Sequence, residues 1–278
     1  MLADPSRVCI ASGGDEVRWR SYVNHTVFAR EHGFTHHIGI GLAPGIETVY
    51  FYKFELIREI LPHFEWVLYL DDDVYVTDFE SQSIQELIEQ AVGEDAFAVF
   101  AEGPSEPDGS WTRLNSGVIL LRNDPRTFAF LDAAQQSDLD EIRRTWSEDE
   151  EGLYTFGDQD AIWRIVRDDP VARAGVKIVG HRALNSREHY YLSALTDAFA
   201  VHFCGPGDKD LKVALFGRRF GMGQELVPDS LMDRYSVRKR ERMGDREVAT
   251  RRAALVGRAA RKRVVRKVEF VRRTGRWK

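Results

Sequence analysis

The stretch Trp66-Val67-Leu68-Tyr69-Leu70-Asp71-Asp72-Asp73-Val74-Tyr75-Val76 sets five apolar residues against three consecutive carboxylates and then resumes its apolar run. A short continuous apolar run of this kind reads as a buried strand, and the triplet falls where the strand ends. Adjacent carboxylates repel, and partial burial disfavours their charged forms, so the arrangement calls for a cation to hold them ionised. A divalent metal fits that need. Mg²⁺ and Mn²⁺ choose carboxylate oxygens, and Mg²⁺ commonly bridges one or two carboxylates to the phosphates of a substrate. The plainer use of an acid after a strand is to cap a helix or to sit in a solvated turn. Here the next helical pattern does not begin until Ile84, Leu87, Ile88 and Ala91, with Ser81 or Ser83 as its cap. Capping therefore does not use up the triplet.

Outward from this stretch, strand-like runs alternate with helical ones, as in an α/β sheet covered by helices on both faces. Strands are predicted at Arg7–Ala11, His36–Ile40, Glu65–Leu70, Phe97–Ala101, Val118–Leu121, Val176–Val179 and Ala198–Phe203. Helices are predicted at Trp19–Glu31, Tyr50–Leu61, Ser83–Ala91, Pro125–Gln135 and Ala161–Val166, the fourth capped by Asn123 or Asp124 ahead of a first-turn proline. In open α/β sheets ligands collect at the carboxyl ends of the strands, where the Asp triplet lies. Three more segments can reach that edge. Leu114-Asn115-Ser116-Gly117 brings an amide, a hydroxyl and bare backbone to a strand start. Gly157-Asp158-Gln159-Asp160 opens a helix, where Asp158 either caps it or meets a polar substrate. Val201-His202-Phe203-Cys204-Gly205 ends a strand ahead of a glycine-rich turn with Lys209. A lone strand histidine is usually structural, but at a strand end imidazole can complete a carboxylate metal site and the turn can face phosphate.

The chain has 278 residues, 43% hydrophobic and 30% charged, enough for one large α/β domain and an appendage. No run approaches the roughly 20 apolar residues of a membrane span. The first strand starts within a few residues of Met1, which leaves no room for a secretory signal and leads us to expect a cytoplasmic protein, with Cys9 and Cys204 reduced. The net charge of −5 hides a strong polarity: residues 234–278 hold 18 Lys and Arg against 4 Asp and Glu, a net of +14, leaving residues 1–233 with 21 against 40, a net of −19. We therefore divide the chain into a domain at 1–232 and a basic amphipathic helical tail at 233–278. In the tail Ala249, Ala253, Val256, Ala260, Val264, Val268 and Val271 form one apolar stripe, with Trp277 near the end. Such a helix suits an anionic membrane surface, or packs its stripe on the domain or on a second subunit. The acidic body argues against nucleic acid as the partner.

Taken in order, "KF" at 53–54, "WVLYLDDDVYV", "LNSGVILLRN", "GDQDAI" and "HFCG", with "NHTVFAREHGF" near the start, resemble the GT-A nucleotide-sugar glycosyltransferases. The likeness is greatest to the α-galactosyl, α-mannosyl and xylosyl transferase family and more distant to the glycogenin-like family, and it covers roughly residues 7–212. It implies a GT-A (Rossmann-like) mixed sheet and a retaining transfer of a hexose or pentose from a nucleotide-sugar donor to a glycan, glycolipid or other acceptor. It also implies that Asp71, Asp73 and His202 bind Mn²⁺ or Mg²⁺. Lys53 then faces the nucleotide side, Asp72 touches ribose or sugar, and Asn115 with Ser116 lines the sugar pocket. Asp158 and Gln159 lie beside the transferred sugar, and Gly205 and Lys209 form the phosphate turn. One departure stands out: the lysine after the His-Phe-x-Gly turn is expected sooner than Lys209, so Lys212 competes for that place. Two other readings use the same acids, an Asp-x-Asp phosphohydrolase and a catalytically silent GT-A scaffold docked at a membrane. The first leaves the Asn-Ser-Gly and His-Phe-x-Gly segments without a part, and the second leaves the intact Asp71, Asp73 and His202 unexplained.

Overall fold

The structure is a computed structural model that describes residues 4–18, 20–41, 49–205 and 207–257. Its strands are β1 (Val8–Gly14), β2 (Thr35–Ile40), β3 (Trp66–Leu70), β4 (Val74–Val76), β5 (Ala98–Ala101), β6 (Asn115–Arg122), β7 (Val176–Val179) and β8 (Ala200–His202). The main sheet has the order β2-β1-β3-β6-β5-β7. β6 runs antiparallel to both of its neighbours, while β1 is parallel to β2 and β3, and β5 to β7. β3 is buried at all five positions, as expected of a central strand covered on both faces.

Alternation along the strands feeds two apolar layers. Ile10, Leu68 and Leu120 point to one side, against Val27 and Phe28 of α1 (Ser21–His32) and Ile84, Leu87 and Ile88 of α3 (Ser83–Gly93). Cys9, Val67, Tyr69 and Ile119 point to the other, against Phe54 and Ile57 of α2 (Tyr52–Ile60), Phe130 and Leu131 of α4 (Pro125–Gln135), and Ala161 and Ile162 of α5 (Asp158–Asp168). Burying a side chain of this size contributes about 1.5–3 kcal/mol, so the two layers supply most of the drive to fold. α1 ends at Gly33, whose φ of 70° is the left-handed conformation that closes a helix with least strain.

β4 leaves the main sheet and pairs antiparallel with β8, with Val74 opposite His202. That short ribbon packs through Tyr75, Val201 and Phe203 on Val213 and Phe216 of α6 (Lys209–Arg219). β8 falls within the expected strand Ala198–Phe203, whereas β4 and α6 were not anticipated as elements, and β6 begins three residues before the expected Val118. The helix before Asp168 begins at Asp158, three residues before the expected Ala161. Trp19, Ala260, Val264, Val268, Val271 and Trp277 lie outside the described residues. Residues 245–257 are helical and pack Val248 and Leu255 on Leu211 and Ala214 of α6. Ala249, Ala253 and Val256 are exposed, so among the described residues the tail's contact face lies beside the expected stripe. No helix among the described residues is long and apolar enough to cross a membrane.

Candidate functional site

The ends of β3, β6 and β8 meet at one edge of the sheet because β6 runs backwards: its first residues, Asn115 and Ser116, sit beside the last residues of β3. The chain turns sharply after Leu70, with the Val74 amide donating to the Asp71 carbonyl at 3.1 Å. Two side chains of α1 hold this turn. Ser21 Oγ donates to the Asp72 carbonyl at 2.5 Å, and the buried Asn24 amide donates to the Val76 carbonyl and accepts from the Val76 amide. The β4–β8 pairing then carries His202 to Asp73 across 129 positions of sequence, with Nε2 3.0 Å from Asp73 Oδ1.

Asp71, Asp73 and His202 thus converge, each offering one ligand atom within 4.8 Å of the others. Two carboxylate oxygens and an imidazole nitrogen form a donor set able to hold a divalent metal ion. Lys209 Nζ also lies 2.5 Å from Asp73 Oδ2. Burial works against the charge of Asp73, but His202 and Lys209 outweigh it and hold the carboxyl below its ordinary range. Burial likewise works against a charged His202, but the neighbouring Cys204 and Asp73 raise its pKa to about 10. A proton on the imidazole and the Lys209 ammonium therefore supply the positive charge that the acids demand. Asp72 is less enclosed; burial, with Asp73 and Asp71 beside it, raises its carboxyl to about 6.

Lys53, only 4% exposed, ties the triplet to α5. Its ammonium lies 2.9 Å from Asp71 Oδ1 and 2.9 Å from Asp158 Oδ2, and donates to the Ser116 carbonyl at 3.0 Å. Burial disfavours its charge, yet Asp158 and Asp71 keep its pKa above the ordinary lysine value. The expected capping role falls to Asp160, which accepts from the Thr155 and Gly157 amides. Asp158, at the first position of α5, is left to Lys53 and the cavity.

These groups line a cavity of about 950 Å³ that also takes in Asp72, Gln159, Asn115, Ser116, Gly205, Lys209 and Lys212. Every expected site residue reaches it. The side chain of Asn115 faces inward through Oδ1, which accepts from the Gly117 amide. Gly205 and Gly207 take φ of 83° and 129°, which shapes the turn before α6. Asp15, Arg18, Trp111 and Glu106 also line the cavity and were missed, because they sit in loops without periodicity. Arg187, buried and equally unanticipated, donates to the His202 carbonyl at 2.8 Å and pairs with Glu106 at 2.6 Å.

No protein-family model matches the chain. A stretch of 122 residues is 28% identical to galactomannan galactosyltransferase 1 of Cyamopsis tetragonoloba, covering 43% of this chain and 27% of that protein. The chain thus spans about a quarter of the length of that relative. Among solved structures, the fold is similar to a glycosyltransferase involved in glycosylation of the major capsid of PBCV-1, at 19% identity, covering 72% of this chain and 94% of that one with a TM-score of 0.53. The glycosyltransferase GlyE of Streptococcus pneumoniae TIGR4 aligns at 14% identity over 84% of this chain and 64% of its own, with a TM-score of 0.46.

Proposed function

We propose that this chain, whose fold is that of the GT-A glycosyltransferases, transfers a sugar from a nucleotide-sugar donor with the aid of a divalent metal. The observation that carries the reading is the convergence of Asp71, Asp73 and His202 at the floor of the cavity. Mn²⁺ or Mg²⁺ suits that donor set, with the two carboxylates and Nε2 of His202 as its holders. Bound there, the ion would act as a Lewis acid toward the diphosphate oxygens.

The remaining roles belong to the chain itself. In the transfer, the bond from the anomeric carbon to the diphosphate oxygen breaks and a bond to an acceptor hydroxyl forms. The acceptor proton is released, and the nucleoside diphosphate leaves with added negative charge. Lys209 and Lys212, in the first turn of α6, would meet that charge, and stabilising it lowers the barrier directly. Asn115 and Ser116 would hold the sugar, Asp72 the ribose or sugar hydroxyls, and Asp158 with Gln159 the face beside the anomeric carbon. Lys53 bridges Asp158 and Asp71 at the edge of the sheet. Retention of configuration follows the sequence resemblance. The test is purified protein assayed against a panel of nucleotide sugars with and without Mn²⁺: we expect donor turnover only with the ion, and neither binding nor turnover of any donor would refute the reading.

We also propose that the basic tail at 233–278 holds domain 1–232 at the cytoplasmic face of an anionic membrane, beside a lipid-linked or glycan acceptor. Its net charge of +14 beyond residue 233 and the exposed Ala249, Ala253 and Val256 support this. Deleting residues after 240 should abolish sedimentation with anionic vesicles and spare donor hydrolysis. Unchanged sedimentation would refute the role.

A further inference from the structure

We propose that Asn185, acting through Asn115, is a positioning residue that sets the tautomer of His202 and aims its Nε2 at the metal position. The inference rests on the metal-dependent reading above. It begins from one backbone group whose role in a hydrogen bond is fixed. The Gly117 amide can only donate, and it lies 2.9 Å from the Asn115 side-chain atom assigned as Oδ1. That atom must therefore be the oxygen. Two further groups crowd the same oxygen, Asn185 Nδ2 at 2.5 Å and His202 Nδ1 at 3.2 Å. The Asn185 atom is then its NH₂, and the imidazole nitrogen is the one that carries hydrogen. Nε2 is left facing Asp73 Oδ1 at 3.0 Å, so it is the nitrogen that gives up its proton when an ion binds.

Burial and backbone both hold this chain of contacts in place. Asn185 is 1% exposed, Asn115 8% and His202 5%. Residue 185 precedes a segment bound alongside β8: the Ser186 amide donates to the Ala200 carbonyl and the His202 amide to the Ser186 carbonyl. Asn185 Oδ1 has no hydrogen-bond partner among the described residues. An orphaned buried acceptor costs stability, so delivering an N–H to Asn115 is the use that accounts for an amide at this site. Gly117 completes the fit, because a Cβ there would lie 2.3 Å from His202 Cε1. Partners of this kind orient a ligating histidine and typically change metal affinity by about 10- to 100-fold when removed.

The test uses the full chain. First, ¹⁵N NMR of His202 in the wild-type protein saturated with Mg²⁺ and a nucleoside diphosphate should show Nδ1 protonated; an unprotonated Nδ1 would overturn the proposal. Second, Asn185→Leu, similar in size and lacking the donor, should weaken Mn²⁺ binding, read by electron paramagnetic resonance, by about 10-fold or more. Wild-type protein that binds Mn²⁺ and a folded Asn185→Leu that binds it equally well would defeat this inference alone. A wild type that binds no Mn²⁺ would instead defeat the functional reading. Should Asn185→Leu not fold, the wild-type tautomer decides the matter.

Discussion

Replacing Lys53 with methionine removes a cation shared by the half-buried Asp71 and the buried Asp158. The ammonium sits 2.9 Å from Asp71 and 2.9 Å from Asp158, with the lysine 4% exposed. Methionine fills much the same volume, so the cost is electrostatic rather than a cavity. Breaking a buried pair from one side typically costs about 3–5 kcal/mol because the partner charge is left uncompensated, and we expect Lys53→Met to fall in that range at pH 8. The sign with pH follows from the acids left behind. Asp71 is already raised above the ordinary carboxyl value by burial, with Lys53 the main opposing influence. Without that lysine its folded pKa rises further above the unfolded one. The destabilisation is then absent below the unfolded pKa of about 4 and grows as pH rises through the folded pKa. Urea unfolding of wild type and variant at pH 8 and pH 5 measures it, and the difference in stability should be smaller at pH 5. A loss under about 1 kcal/mol at pH 8, the scale of an exposed pair, or an equal loss at both pH values, would refute the assignment of Lys53 as the buried counter-ion.

Gly117→Ala places a Cβ 2.3 Å from His202 Cε1 and should push the ring off Asp73, lowering Mn²⁺ affinity by about 10-fold or more in a calorimetric titration. His25 and His36 share Ser12 Oγ in a buried chain, and burial first, then His36 beside His25 and His37 beside His36, depresses their pKa values to about 3 and about 4. They contribute stability that is complete above about pH 6.5 and is lost as pH falls toward those values, so their NMR signals should not titrate between pH 8 and 6; a midpoint near 6.5 would contradict the burial argument. Val248→Asp puts a charge into the contact between the helix of residues 245–257 and α6, where Val248 is 6% exposed. Limited proteolysis should then cut near residue 245 sooner than in wild type, with the domain left intact.

Much of the fold was legible because it depends on local pattern. β3 is an unbroken apolar run, and Pro125–Gln135 is bracketed by an Asp124 cap and a first-turn proline. What escaped reading depends on pairing between distant segments. Nothing local to Asn115-Ser116-Gly117 shows that β6 is reversed, yet reversal is what brings these residues to the Asp triplet. β4, with three residues, is too short to carry a period, and its pairing with β8 is what delivers His202. α6 hides behind a glycine-rich turn and contains Gly217, a poor helix residue, whose bare Cα accommodates the Gly223 carbonyl. The sequence leaves Asp158 either to cap its helix or to meet a substrate, and only the geometry, with Asp160 accepting from the Gly157 amide, frees Asp158 for Lys53. Asn185 lies in Leu184-Asn185-Ser186-Arg187, a stretch without periodicity, so its link to Asn115 is visible only in three dimensions.

The most direct test of the metal site is anomalous diffraction from crystals soaked with Mn²⁺ and a nucleoside diphosphate. We expect a single strong peak at the cavity floor, at normal coordination distances of about 2.0–2.2 Å from Asp71, Asp73 and Nε2 of His202, with diphosphate oxygens completing the shell. A peak that avoids His202, or nucleotide density with no ion between it and the two acids, would contradict the assignment.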